Sequence, residues 1–194
     1  MNRADAYALL TEYVTDPSLV RHCLSVEAAM RAYARKDNQD EEKWGIVGLL
    51  HDFDYQRWPE PADHPLRGSE ILRERGYPEE VIVSILTHAD YLQDRFPRVT
   101  LMDKALYACD ELAGLITATA ILRPNGITDL TASSVKKKMK SKGFARNVNR
   151  DDIERGAKDF GVDLTEHIQF EIDAMKTIAA ELNLLKGAAG GEAE

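Results

Sequence analysis

The chain has 194 residues, of which 25 are basic and 33 are acidic, so its formal net charge is −8. An acidic chain lacks the basic surface of a general nucleic-acid-binding protein, and two cysteines are too few for a disulfide framework. The sequence shows no signal peptide and no apolar run of about 18 residues, so we expect a cytoplasmic protein that does not enter the membrane.

The apolar residues recur at helical spacing along the chain, and no segment alternates as a strand would. Asp16 and Pro17 are typical of a helix start, Gly76 is typical of a helix end, and Thr100 with Asp103 resembles a capping box. Eight helices are predicted, at about residues 2–14, 17–35, 41–51, 65–75, 77–88, 100–122, 133–142 and 164–185. The predicted fold is therefore all-α, a compact helical bundle of about eight helices.

Four of the five histidines lie on separate predicted elements, and two aspartates occupy apolar helix positions near them. Taken singly, each of these residues is most often a packed or surface residue. A buried carboxylate, however, needs a partner or a metal, and imidazole with carboxylate suits Fe, Mn, Zn or Co. If the helices pack antiparallel, these six residues can converge: His22, His51, Asp52, His64, His88 and Asp110. A mostly histidine set with a shared carboxylate suits two metals about 3.5–4 Å apart.

The order of these residues resembles the HD-domain superfamily of metal-dependent phosphohydrolases. The segment GLLHDFDY is similar to that family's apolar helix ending in a His-Asp pair, and LMDKALYACDELAG to the helix that supplies the last Asp. The segment HPLRGSEILRERGYPEEVIVSILTHAD resembles the HDIG-type branch, in which a histidine begins one helix and another closes the next. The resemblance covers about residues 18–122 and implies an HD-domain-like helical bundle.

The resemblance also implies a ligand set and a cofactor. The first metal would be held by His22, His51, Asp52 and Asp110. A second site would be completed by His64 and His88, with Asp52 bridging the two metals. The cofactor would be a divalent transition metal, one or two per chain, from Fe, Mn, Co, Zn or Ni, with Fe or Mn favoured.

One departure from the family follows the His-Asp pair. The HDIG branch usually has Ile-Gly-Lys there, whereas this chain has Phe53, Asp54 and Tyr55, and the Glu of the mononuclear nucleotidase branch is absent as well. The candidate catalytic residues are Asp52, with Asp54 or Tyr55 as a proton relay. The departure leaves open which substrate is used and whether the reaction is hydrolysis.

The run Ser133–Lys142, followed by Arg146 and Arg150, is the one strongly basic stretch of this acidic chain. It is interpreted either as a solvated helix face or as a lid that contacts a nucleotide or another anionic partner. A further cation lies on the turn after His64. The candidate substrate-binding residues are therefore Arg67, Lys136 and Lys137.

The leading functional hypothesis is hydrolysis of a phosphoester or phosphoanhydride by a metal-activated hydroxide. The expected partner is a small phosphorylated molecule such as a nucleotide. The alternatives are a mixed-valent di-iron oxygenase on the same ligands and a non-catalytic, metal-stabilised nucleotide sensor. Residues 1–122 are expected to form the metal-binding core, 123–186 a helical extension packed on it and 187–194 a disordered tail. The core or the face of a homodimer would be built by Leu115, Ile116, Ile121 and Leu122.

Overall fold

The structure is a computed structural model that describes residues 2–141 and 143–186. These residues form nine α-helices and no strand, which confirms the all-α helical bundle. The helices are α1 (Arg3–Tyr13), α2 (Pro17–Lys36), α3 (Glu41–Leu50), α4 (Leu66–Glu74), α5 (Glu79–Thr87), α6 (Leu101–Ile121), α7 (Ala132–Met139), α8 (Arg150–Phe160) and α9 (Leu164–Lys176). The tail at 187–194 lies outside the described residues.

The two longest helices begin with the signals that the sequence shows. The Asp16 carboxylate accepts from the backbone N–H of Ser18 at the start of α2, 2.8 Å away. At the start of α6, Thr100 and Asp103 exchange side-chain to backbone hydrogen bonds, which is a capping box. Both devices satisfy backbone groups that a helix terminus leaves without partners.

Glycines allow two pairs of helices to pack at close range. A Cβ at Gly48 would lie 2.9 Å from a carbonyl oxygen of α2, so only glycine permits the observed contact between α2 and α3. This contact places His51, which follows α3, beside His22 of α2. A Cβ at Gly156 would lie 2.8 Å from the Cα of Ala108, so α8 packs against α6 in the same way.

Helix α8 was not predicted, and the last helix ends at Lys176 rather than near residue 185. Most of α8 is charged, but its buried residues have helical spacing, namely Ile153, Gly156, Ala157 and Phe160. Asn149 before the helix and Gly161 after it are typical helix boundaries, so the prediction omitted a helix that the sequence does indicate. After α9 the chain continues in turns that bury Leu182 and Leu184. The buried residues Met175, Ala179 and Leu182 continue the helical spacing of α9, which explains the overlong prediction.

The C-terminal helices pack onto the residues that precede them. The ring of His167 on α9 lies between α2 and α6, with Nδ1 2.7 Å from the Tyr33 hydroxyl and Nε2 3.0 Å from the Ala108 carbonyl oxygen. Residues 115 and 116 are buried in the core, whereas Ile121 and Leu122 are exposed. None of the helices in the described ranges combines the length and the apolar character needed to cross a membrane.

A buried cluster of side chains that could hold a metal lies between α6 and α9 and consists of Cys109, His167 and Glu171. Both ring nitrogens of His167 are hydrogen-bonded, to the Tyr33 hydroxyl and to the Ala108 carbonyl oxygen, and neither is left for a metal. We therefore interpret this cluster as part of the packed core. The Glu171 carboxyl is fully buried and finds no hydrogen-bond partner within residues 2–141 and 143–186. Burial, together with the charge of Asp110, raises its pKa well above the ordinary value of 4.5.

We expect Glu171→Gln to stabilise the protein increasingly as the pH rises. Above pH 4.5 the unfolded chain releases a proton that the folded chain retains on Glu171, so wild-type stability falls with pH until the folded pKa is reached. The amide does not ionise, and the advantage of the variant should grow by up to about 1.4 kcal/mol per pH unit. Urea unfolding from pH 5 to 8 measures it. Glu166→Gln, at an exposed site on the same helix, is the control, and a pH-independent difference would contradict the prediction.

Candidate metal centre

The structure brings together the six side chains proposed as metal ligands, from five separate parts of the bundle. His22 lies on α2, and His51 and Asp52 follow the last residue of α3. His64 lies just before α4, His88 directly follows α5, and Asp110 lies on α6. Two overlapping groups of potential ligand atoms result, and they share Asp52.

The first group contains His22, His51 and Asp52, and Asp110 lies beside its two histidines. His22 Nε2 lies 3.1 Å from His51 Nε2 and 3.0 Å from Asp110 Oδ1. Asp52 Oδ2 lies 3.8 Å from His22 Nε2 and 3.6 Å from His51 Nε2. Ligand atoms about 2.1 Å from a common metal ion are separated by about 3.0–3.4 Å from one another. The donor atoms and their spacing therefore fit a divalent transition metal.

The second group uses the other oxygen of the same aspartate. Asp52 Oδ1 lies 3.3 Å from His64 Nε2 and 3.5 Å from His88 Nε2. The two imidazole Nε2 atoms are 3.2 Å apart. Asp52 thus presents one oxygen to each group, which is the arrangement of a carboxylate that bridges two metals.

Three of the imidazole rings are held with Nε2 directed toward the centre, because Nδ1 has a partner behind each ring. The Nδ1 atoms of His51, His64 and His88 lie 2.8, 2.8 and 2.5 Å from Gly48 O, Asp54 Oδ1 and Ile85 O, respectively. A carbonyl oxygen or a carboxylate only accepts, so each Nδ1 carries the proton. The lone pair is then on Nε2, where a metal ligand requires it.

Asp54 is one of these partners. Its side chain is buried, with Oδ1 next to His64 Nδ1 and Oδ2 accepting from the Gly68 N–H at 2.7 Å. A Cβ at Gly68 would lie 2.8 Å from Asp54 Cγ, so a glycine is needed for this contact. Both Asp54 oxygens are thus bonded, and Asp54 is absent from the residues that line the cavity. Its contacts are those of a residue that orients His64.

Five of the six proposed ligands, all except His51, line a cavity of about 480 Å³, which we call the metal-centre cavity. Tyr55, proposed as a catalytic residue, lines this cavity with 44% of its surface exposed and its ring edge toward His64. Tyr91 also lines it, and its hydroxyl donates to the backbone carbonyl of His64. Two partly exposed aromatic rings therefore border the metal ligands.

The three basic residues proposed to bind substrate lie elsewhere. Arg67 is exposed and pairs with Asp63, 3.2 Å away, and with Glu70, 3.7 Å away. Lys136 donates to the Thr165 hydroxyl, and both Lys136 and Lys137 line a different cavity between α7 and α9. The structure does not bring these cations into the lining of the metal-centre cavity.

Apart from Asp110, the residues of α6 and α8 that line the metal-centre cavity were not predicted from the sequence. Tyr107 and Glu111 share a helix face with Asp110, and this spacing could have indicated them. The Tyr107 hydroxyl donates to Asp152 Oδ1 at 3.0 Å and accepts from Arg155 Nε at 2.8 Å. Asp152 lies on α8, which was not predicted although its apolar residues from Ile153 to Phe160 recur at helical spacing.

The lining of the cavity is strongly acidic. Its charged residues in the described ranges, apart from the histidines, are all carboxylates, namely Asp52, Asp90, Asp110, Glu111 and Asp152. Burial raises the pKa of Glu111 to about 7, and the adjacent Asp110 adds to this effect. Asp90 and Asp152 pair with Arg98 and Arg155. Asp52, Asp110 and Glu111 have no Lys or Arg partner in the described ranges, so an anionic substrate would need bound cations beside them.

His51 and His64 bind their protons more tightly than free imidazole does, because carboxylates face them. Burial lowers the pKa of His51, but Asp52 and Asp110 outweigh burial and raise it to about 9. Burial also lowers the pKa of His64, and Asp52 with Asp54 raises it to about 10. Burial raises the pKa of Asp52, but the histidines hold it well below its usual range. A metal ion would replace these protons, as expected of a metal-binding site.

Comparison with known families agrees with this geometry. The sequence model of the HD domain matches residues 19–115, which is half of the chain and contains all six ligand residues. No curated protein and no solved structure matches the chain. On the extent of the family match, the chain belongs to the HD domain family.

Proposed function

We propose that this protein is a two-metal phosphohydrolase of the HDIG type that cleaves a phosphoester or phosphoanhydride bond in a small, nucleotide-like substrate. Membership of the HD domain family suggests a metal-dependent phosphohydrolase. The observation that carries the two-metal proposal is that the two oxygens of Asp52 face two separate groups of histidines. Bound metals would supply hydroxide at neutral pH and neutralise the negative charge of the phosphate.

The cavity residues have separate roles in this proposal. Tyr55 and Tyr91 border the ligands and would contact the organic part of the substrate. Asp54 keeps the proton of His64 on Nδ1, so that Nε2 stays available as a ligand. Glu111 lines the same cavity next to Asp110, and its carboxyl group would be the one placed to exchange a proton with the leaving oxygen.

Removal and return of the metal tests the proposal. The protein is stripped with a chelator, reloaded with Mn²⁺ or Fe²⁺, and assayed for phosphate release from aryl phosphates, phosphodiesters and nucleotides. We expect stripping to lower turnover by at least about 100-fold, and about two metals per chain to restore it. Undiminished activity of the stripped protein would contradict the proposal.

The same preparations separate the alternatives. Oxygen uptake by the iron-loaded protein without phosphate release would favour the di-iron oxygenase. Nucleotide binding without any turnover across the panel would favour the sensor.

A further inference from the structure

A second cavity adjoins the metal-centre cavity. Its volume is about 570 Å³, and it is lined by Met139, Lys140 and residues 146–151. Asn147 and Val148 belong to the lining of both cavities, so these two residues form a shared wall. We call the second space the basic cavity, because its charge is opposite to that of the metal-centre cavity.

The two cavities differ in the charge of the residues that line them. The basic cavity is lined by Lys140, Arg146 and Arg150, against one carboxylate from Asp151. Over residues 2–141 and 143–186, neither Lys140 nor Arg146 forms an ion pair or a side-chain hydrogen bond. Because no carboxylate of the described chain neutralises them, both cations are available to an anionic group of a ligand.

The shared wall is held in place by Arg150. Its guanidinium group donates to the backbone carbonyls of Phe144, Ala145 and Val148. On the other side, the Asn149 N–H donates to the Glu111 carboxylate at 3.1 Å. These bonds tie the loop before α8 to the wall of the metal-centre cavity. Arg146 therefore belongs to a braced segment whose next two residues line both cavities.

We propose that the substrate carries a second phosphate-like group and that Lys140 and Arg146 bind it in the basic cavity. The reacting phosphate would lie in the metal-centre cavity, and the molecule would cross the wall formed by Asn147 and Val148. This inference rests on the proposed function, because it assigns the reacting phosphate to the metals. It selects substrates with two separated anionic groups over simple phosphomonoesters.

Binding of alkane phosphonates, which cannot be hydrolysed, tests the inference. The dissociation constants of α,ω-alkane bisphosphonates of increasing length are compared, by calorimetry, with those of monophosphonates of equal length. On the Mn²⁺-loaded protein, we expect a bisphosphonate long enough to cross the wall to bind about 10-fold more tightly than its monophosphonate. The gain should fall to about twofold or less in Lys140→Ala and in Arg146→Ala.

Lys158→Ala is the matched control, because it removes the same charge from an exposed site on α8 and should keep the full gain. Metal-dependent binding of the monophosphonates with no gain at any bisphosphonate length would overturn this inference and leave the proposed function in place. A gain that survives both Lys140→Ala and Arg146→Ala would also overturn it. Failure of every phosphonate to bind, with or without metal, would count against both.

Discussion

Replacing Asp52 with Asn should reduce turnover by at least about 1000-fold and lower the metal content to no more than about one per chain. In the wild type, Oδ2 faces His22 and His51 while Oδ1 faces His64 and His88. Asparagine keeps the shape of the side chain but turns one of these oxygens into an N–H donor. A donor cannot ligate a metal, so one of the two groups loses its shared ligand.

Two measurements check this expectation. Elemental analysis gives the metal content of the variant, and the rate of phosphate release gives its turnover. Asp159→Asn, at an exposed position of α8, is the control for the same change of charge. A variant that keeps two metals and full turnover would show that Asp52 is not the bridging ligand.

The second large effect is expected at Asp54, which does not line the cavity. An Asn at this position can still accept from the Gly68 N–H, but its NH₂ group would then face His64 Nδ1. The ring would be driven to the tautomer with the proton on Nε2, which cannot bind metal. Loss of such an orienting partner typically costs about 10–100-fold in metal affinity or activity.

The affinity for the more weakly bound metal, measured by titration of the stripped protein, should fall by that factor in Asp54→Asn. The circular dichroism spectrum should remain that of the wild type. Tyr55→Phe is the control, because it keeps the aromatic ring that touches His64 and leaves Asp54 unchanged. An unchanged affinity in Asp54→Asn would mean that Asp54 does not set the tautomer of His64.

The role of Asp54 also shows how much of the site can be predicted from the sequence. Residues 53–55 were identified from the sequence as the departure from the HDIG pattern, with Asp54 considered as a proton relay. The sequence could not reveal its partners, because Gly68 lies 14 residues away and meets Asp54 only through the packing of α4. The residue type indicates which chemistry a side chain can perform, whereas the orientation of that side chain depends on neighbours that are distant in the chain.

The basic residues likewise combine a feature that the sequence predicts with one that depends on tertiary packing. The sequence identified one basic stretch from its charge alone, but could not predict which of its members lie near the metal centre. In the structure, Lys136 and Lys137 line a separate cavity, whereas Arg146 lines the basic cavity and Lys140 lines both of these cavities. This difference depends on how α8 and the loop before it pack against α6, which no local pattern in the sequence specifies.

By itself, the sequence determined the all-α class, most of the helices and the order of the six histidine and aspartate residues. These follow from local signals, namely apolar spacing, capping residues and short motifs. Only the tertiary structure decided that Asp52 faces two groups of ligands, that Asp54 stands behind His64 and that a basic cavity adjoins an acidic one. Each of these is a distance between residues far apart in the chain, and such distances depend on how the helices pack.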